Sequence, residues 1–192
     1  VFRGREQAYV AQTIDSTFVS SVGPFVDRFE QEMVAYTGSP KAVAVVNGTA
    51  GLHVALRLAG LQPGELVITQ PLTFVATCNA LSYTGAHPVF VDVDAATLCI
   101  DVDAVARAIT PRTKAIIPVH FAGRSADMTR LLALAKQHGL KVIEDCAQAH
   151  GARYKGRSVG SIGHVGAWSF CQDKIMTTGG EGGMVSTNDE AL

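Results

Sequence analysis

The residues best able to do chemistry stand where apolar runs stop. Asp145 lies at the end of the run 142–146, beside Glu144. A carboxylate there is costly to desolvate unless it meets a positive partner, and a protonated pyridine nitrogen is one such partner. Lys174 follows Trp168-Ser169-Phe170 and precedes the glycine-rich stretch Thr177–Gly183. A lysine between an apolar strand and such a loop can be partly desolvated, which favours the free amine needed for imine formation. Four glycines in the five positions 179–183 imply a backbone that passes close to something. Asn47-Gly48-Thr49-Ala50-Gly51 lies between a strand-like run and a helical one. Small residues there let the backbone approach an anion, the helix start offers free N–H groups, and Thr49 adds a hydroxyl. Phe74, at another strand-to-helix junction, has the flat face needed to stack on a ring.

Each residue also has a plainer reading. Asp145 suits an ordinary strand-end acid, Lys174 a solvated surface lysine, Phe74 a core aromatic and Asn47–Gly51 a capped helix after a tight turn. His120, His150 and His164 have no partner at metal-ligand spacing and read as structural. The Asn47–Gly51 segment lacks both the lysine of a P-loop and the G-x-G-x-x-G spacing.

The elements that must position these residues follow from periodicity. Strand-like runs at 42–46, 66–69, 88–93, 115–119 and 142–146 alternate with helical patterns at 49–58, 74–83, 102–109 and 128–138. Two further strand-like runs cover 167–171 and 183–186, the second expected to be a strand with an exposed edge, and two helix candidates, 8–18 and 25–36, come first. Continuous Val/Ile-rich strands alternating with helices predict an α/β fold. Its form is a three-layer αβα arrangement around a mainly parallel mixed sheet. Ligands bind such sheets beyond the carboxyl ends of the strands, where all of these residues fall.

With 192 residues and 47% hydrophobic content the chain can bury a real core. A net charge of −1 supplies no bulk field for nucleic acid, and no apolar run approaches a bilayer span. The opening Val1-Phe2-Arg3-Gly4-Arg5 has no signal-peptide pattern. Four scattered cysteines without a C-x-x-C pair argue against zinc and for a reduced, cytoplasmic setting.

These segments together resemble the DegT/StrS-type nucleotide-sugar aminotransferases, which are fold-type-I pyridoxal-phosphate enzymes. The resemblance runs from Gly23-Pro24-Phe25 through Asn47-Gly48-Thr49-Ala50, Thr73-Phe74-x-Ala76-Thr77, Pro88–Asp92, Pro118-Val119-His120 and Glu144–Gln148. It continues to Ser169-Phe170, Lys174 and Gly180–Gly183. It implies pyridoxal 5′-phosphate as cofactor, Lys174 as the Schiff-base lysine and proton carrier, and Asp145 as partner of the pyridine nitrogen. It also implies Gln148 beside the ring oxygen, Phe74 stacked on the ring, and Gly48, Thr49, the Ala50 backbone and Ser169 around the phosphate. The implied reaction moves an amino group from an amino-acid donor, glutamate above others, to a keto group of a nucleotide-linked sugar. A homodimer with shared active sites is implied as well. Enzymes of this family are much longer, so residues 1–192 are expected to be an incomplete large domain, with a smaller carboxyl-terminal domain outside them.

The residues before Lys174 are Cys171-Gln172-Asp173, where many members carry a His-Pro-containing stretch. Two alternatives remain open. One is a sugar-dehydratase relative, against which Lys174 counts because such members replace the lysine. The other is a non-catalytic pyridoxal-phosphate-binding regulator. A nicotinamide-dependent oxidoreductase predicts a glycine fingerprint after the first strand and an acid after the second; Asn47–Gly51 and Gln70-Pro71 stand there instead.

Overall fold

The strand-and-helix alternation folds as expected. A computed structural model describes residues 4–189 and 191–192. The reading of Val1, Phe2 and Arg3 as free of a signal pattern thus lies outside the described residues. Helices α1 (Glu6–Asp15) and α2 (Pro24–Thr37) lead into β1 (Lys41–Val45), α3 (Gly48–Leu58), β2 (Leu66–Thr69), α4 (Ala76–Thr84) and β3 (His87–Phe90). Then come α5 (Val102–Ala108), β4 (Thr113–Ile117), a 3-10 turn at Phe121–Gly123, α6 (Met128–His138) and β5 (Lys141–Asp145). The short strands β6 (Arg153–Tyr154) and β7 (Arg157–Ser158) precede β8 (Val165–Ser169) and β9 (Gly183–Thr187).

Seven strands form one sheet in the order β1-β9-β8-β5-β4-β2-β3. The pairs β2–β3, β2–β4, β4–β5 and β5–β8 are parallel, whereas β9 runs antiparallel to both β1 and β8. Strand alternation sorts the core into two faces. Val67, Ile117, Ile143, Ala167 and Val185 pack with Leu52, Leu56, Ala80 and Leu81 of α3 and α4. Their neighbours Ile68, Ile116 and Val142 pack with Val105 of α5 and Leu131 of α6, and Trp168 and Met184 with Met33 of α2. Helices on both faces of a mostly parallel sheet give the expected three layers. Side-chain caps set the helix starts. Asp101 and Asp127 accept from the first turns of α5 and α6, and Gly139 ends α6 in the left-handed region.

Three details depart from expectation. The run 183–186 was expected to end as an exposed sheet edge, but β9 sits between β1 and β8 and is buried throughout. The chain crosses back after the glycine-rich loop and inserts between two earlier strands, an outcome that local pattern does not encode. β8 begins and ends two residues before the expected 167–171, so Cys171 opens a turn rather than closing a strand. The β6–β7 hairpin was not anticipated because each strand has only two residues. Its connection, Lys155-Gly156, has positive φ at both residues, which suits the right-handed twist of a tight hairpin.

Candidate active site

At the carboxyl ends of β1, β5 and β8 lies a cleft of about 350 Å³. Its walls include Asn47, Gly48, Thr49, Thr73, Phe74, Thr77, Asp145, Gln148, Ser169 and Lys174. Of the residues singled out from sequence, seven line this one cleft: Gly48, Thr49, Phe74, Asp145, Gln148, Ser169 and Lys174. A larger open depression of about 860 Å³ lies between α1 and the 177–179 loop; none of those seven borders it.

Asp145 is the last residue of β5 and is only 4% exposed. Its Oδ2 accepts a 2.8 Å hydrogen bond from Thr77 Oγ1, and its Oδ1 accepts from the Ala147 N–H at 3.1 Å. Thr77 Oγ1 lies 2.8 Å from Thr73 Oγ1, so the carboxylate ends a short chain of hydroxyls on α4 and the segment before it. Burial pushes the Asp145 carboxyl above its usual range, against those two hydrogen bonds and the positive fields of His120 and Lys174. A further cation placed in the cleft would offset that burial. Thr77, 68 residues away in sequence, was not assigned a role from sequence. Its only sequence signal was its place in the Thr73–Thr77 stretch.

Lys174 sits on the turn after β8, its N–H donating to Cys171 O at 3.1 Å. The side chain is 17% exposed, with Nζ 3.7 Å from Asp173 Oδ1 and 5.8 Å from the centre of the Phe74 ring. Phe74 precedes α4 rather than opening it and is 64% exposed, so its ring is a wall of the cleft and not core. Gln148 Oε1 accepts from the Ala122 N–H at 3.2 Å, which leaves its NH2 group as a donor.

The amino terminus of α3 faces the end of β8. Asn47 caps the helix, its Oδ1 accepting from the Ala50 N–H at 2.9 Å. The Ala50 N–H expected at the phosphate is therefore already engaged, and an anion there must share it with Asn47. The Gly48 and Thr49 N–H groups and the Thr49 and Ser169 hydroxyls have no acceptor among the described residues. Gly48 makes the approach possible: a Cβ on it would lie 2.7 Å from Ser169 Cβ. Gly183 is likewise required, since a Cβ there would meet the Asn47 carbonyl at 2.4 Å. In the glycine run, Gly182 and Gly183 pass close to neighbours and Gly179 adopts a φ of +89°, whereas Gly180 faces open space.

The donor set fits pyridoxal phosphate. Two N–H groups and two hydroxyls without acceptors among the described residues belong to cleft-lining residues and suit a phosphate, a buried carboxylate suits a protonated ring nitrogen, a lysine suits the aldehyde and an exposed aromatic suits the ring face.

Beneath the cleft is a buried network that sequence reading missed. Glu144 accepts from His120 Nε2 at 2.8 Å and from the N–H groups of Gly160, Ile162 and Gly163 at 2.6–2.9 Å. Burial opposes its charge, but the hydrogen bonds from His120, Gly163 and Gly160 prevail and hold its carboxyl below the usual range. Cys146 lies close enough to His120 and Glu144 to complete a metal-like trio. The Glu144 oxygens, however, are consumed by four donors, which marks the trio as a brace of the 160–163 loop. The rings of His120 and His164 each accept a backbone N–H.

Known proteins resemble the chain in both sequence and fold. GDP-perosamine synthase of Caulobacter vibrioides is 47% identical over 189 residues, covering 98% of this chain and 51% of its own length. The crystal structure of an aminotransferase from Psychrobacter cryohalolentis superposes with a TM-score of 0.96 at 52% identity, over 99% of this chain and 48% of that one. NtdA of Bacillus subtilis, solved with bound cofactor PMP, superposes with a TM-score of 0.88 at 31% identity, over 98% of this chain and 43% of that one. The chain thus spans about half the length of the curated relatives it matches. The family model matches residues 2–192, and the chain belongs to the DegT/DnrJ/EryC1/StrS aminotransferase family.

Proposed function

We propose that this protein is a pyridoxal-phosphate-dependent aminotransferase that passes an amino group from an amino-acid donor, glutamate foremost, to a keto group of a nucleotide-linked sugar. The observation that carries the proposal is one cleft that holds Lys174, the buried Asp145 carboxylate and the open amino terminus of α3 beside Ser169. The named relatives support the substrate class, since one of them makes a GDP-linked amino sugar by name.

When bound, pyridoxal phosphate supplies an electron sink for the carbon that loses its proton. The chain's own residues do the rest. The Gly48 and Thr49 N–H groups, with the Thr49 and Ser169 hydroxyls, hold the phosphate and fix the register. Asp145, oriented by Thr77 and Ala147, keeps the ring nitrogen protonated. Phe74 would cover one ring face, and the Gln148 amide would donate to the ring oxygen. Lys174 would be the attachment point for the cofactor's aldehyde and, with its amine free, would take and return a proton at the reacting carbon as general base and acid.

The homodimer belongs to the same reading. Helix α1 buries none of its residues, and Val10, Ile14, Phe18, Val19 and Val22 are all more than half exposed, a surface suited to a second subunit. Residues 1–192 are read as an incomplete large cofactor-binding domain, a reading that the seven-stranded sheet supports. Four free thiols support a reduced, cytoplasmic setting, and among the described residues no helix is long and apolar enough to cross a membrane.

The test is to load the protein with pyridoxal phosphate, add glutamate, and follow conversion to the amine form by absorbance, then add nucleotide-linked keto sugars and look for reversal. Cofactor binding without conversion by any amino donor would favour the regulator instead.

A further inference from the structure

We propose that Asp173 is a charge-setting residue of this site: its carboxylate, anchored by the Cys171 thiol, stands beside Lys174 Nζ and favours the protonated form of the nitrogen that the lysine brings to the cofactor. The proposal rests on reading Lys174 as the attachment point.

The turn after β8 brings the three residues together. The Lys174 N–H closes the turn on Cys171 O at 3.1 Å. Within it, the Cys171 Sγ–H donates to Asp173 Oδ1 at 2.6 Å, and that same oxygen lies 3.7 Å from Lys174 Nζ. Among the described residues Asp173 is the one ion-pair partner of Lys174. The pair is asymmetric: the lysine is 17% exposed and the aspartate 69%. The lysine nitrogen faces the cleft, while the carboxylate reaches it from the solvent side and keeps its hydration. Asp173 is held below the usual carboxylate range, first by the Cys171 hydrogen bond and then by the Lys174 charge, so it remains an anion at neutral pH.

The other charged or titratable groups facing Lys174 have different duties. Asp145, at the end of β5, is committed to Thr77 and Ala147. His150, after β5, lies within the field of Lys174 and burial holds it neutral. Glu181 lines the cleft from the glycine-rich loop. All of these remain in an Asp173 variant, so a difference from the native protein isolates one carboxylate. The consequence for the reaction is direct. A protonated nitrogen makes the attached carbon more electrophile-like and ready for exchange with an incoming amine, so Asp173 extends that readiness to higher pH.

The experiment is a spectrophotometric pH titration of the cofactor-loaded protein, native and Asp173→Asn, at low and high salt. The expected result is a midpoint lower by about 0.3–0.7 pH unit in the variant, the size of an exposed ion pair. High salt should shrink the difference, because the carboxylate is solvated. Asp173→Glu should keep the midpoint near native, and Cys171→Ala, which frees the carboxylate, should move it part of the way down. Borohydride reduction and peptide mapping of the same samples separate the two layers of the reading. A label on Lys174 with an Asp173→Asn midpoint within about 0.1 unit of native would overturn the role of Asp173 alone. A label on another lysine would overturn both this proposal and the attachment reading beneath it.

Discussion

Thr77 Oγ1 donates a 2.8 Å hydrogen bond to Oδ2 of Asp145 from the first turn of α4, across 68 residues of sequence. The bond orients a carboxylate that is otherwise buried at the end of β5. Asp145→Asn keeps the shape and removes the charge, so the transamination rate should fall by orders of magnitude while the phosphate contacts still hold the cofactor. Thr77→Val keeps the volume and removes one hydrogen bond to a charged group. Such a bond contributes about 1.5–3 kcal/mol, so kcat should fall roughly ten-fold or more. Steady-state kinetics with cofactor binding measured in parallel checks both. An Asn variant with near-native turnover would sink the role of Asp145.

Lys174 should be the residue on which borohydride fixes pyridoxal phosphate, because reduction traps only an existing carbon–nitrogen double bond. Peptide mass mapping reads the position. An adduct on Lys141 or Lys155 would remove the assignment. Lys174→Ala should abolish transamination yet retain cofactor non-covalently, since the phosphate end of the cleft is built from other elements.

Thr49 and Ser169 both line the cleft, where Gly48 leaves room beside Ser169. Each hydroxyl is expected to donate to a phosphate oxygen, a charge-assisted bond of about 1.5–3 kcal/mol. Thr49→Ala should therefore weaken cofactor affinity roughly ten-fold or more, with little effect at saturating cofactor. Equilibrium binding checks this. An unchanged dissociation constant would leave the α3 start as a capped helix and nothing more.

His150 packs between Trp168 and Phe170, with the Ser169 backbone beside the ring but no well-aligned hydrogen bond to either ring nitrogen among the described residues. Burial lowers its pKa below the usual histidine value of 6.5, and the Lys174 charge adds to the effect. The unfolded chain therefore takes up a proton near pH 6.5 that the native ring refuses. Stability present above that pH is lost as pH falls through it. In His150→Phe this part of the pH dependence should vanish, so the variant should gain on the native protein between about pH 7.5 and about pH 5.5. Denaturant midpoints at the two pH values decide. A difference independent of pH would mean that the native ring takes the proton.

The sequence alone determined what local physics controls. Apolar runs of strand length alternating with helical patterns specified the layers, because side-chain period and burial are properties of neighbouring residues. Small residues at 47–51 specified a tight strand-to-helix junction, and the four glycines in 179–183 a close backbone approach somewhere in that run, which the structure narrowed to Gly182 and Gly183. Asp145 and Lys174 stood out because a charge at the end of an apolar run needs a reason. The tertiary structure decided everything that depends on which strands become neighbours. It placed β9 between β1 and β8, where an edge strand was expected. It made Thr77 the partner of Asp145 and Glu144 the acceptor for three backbone N–H groups of the 160–163 loop. It engaged the Ala50 N–H with Asn47. A hydrogen bond between residues far apart in the chain leaves no periodic trace, since its partners are chosen by strand order and register, and those follow from packing the whole core at once.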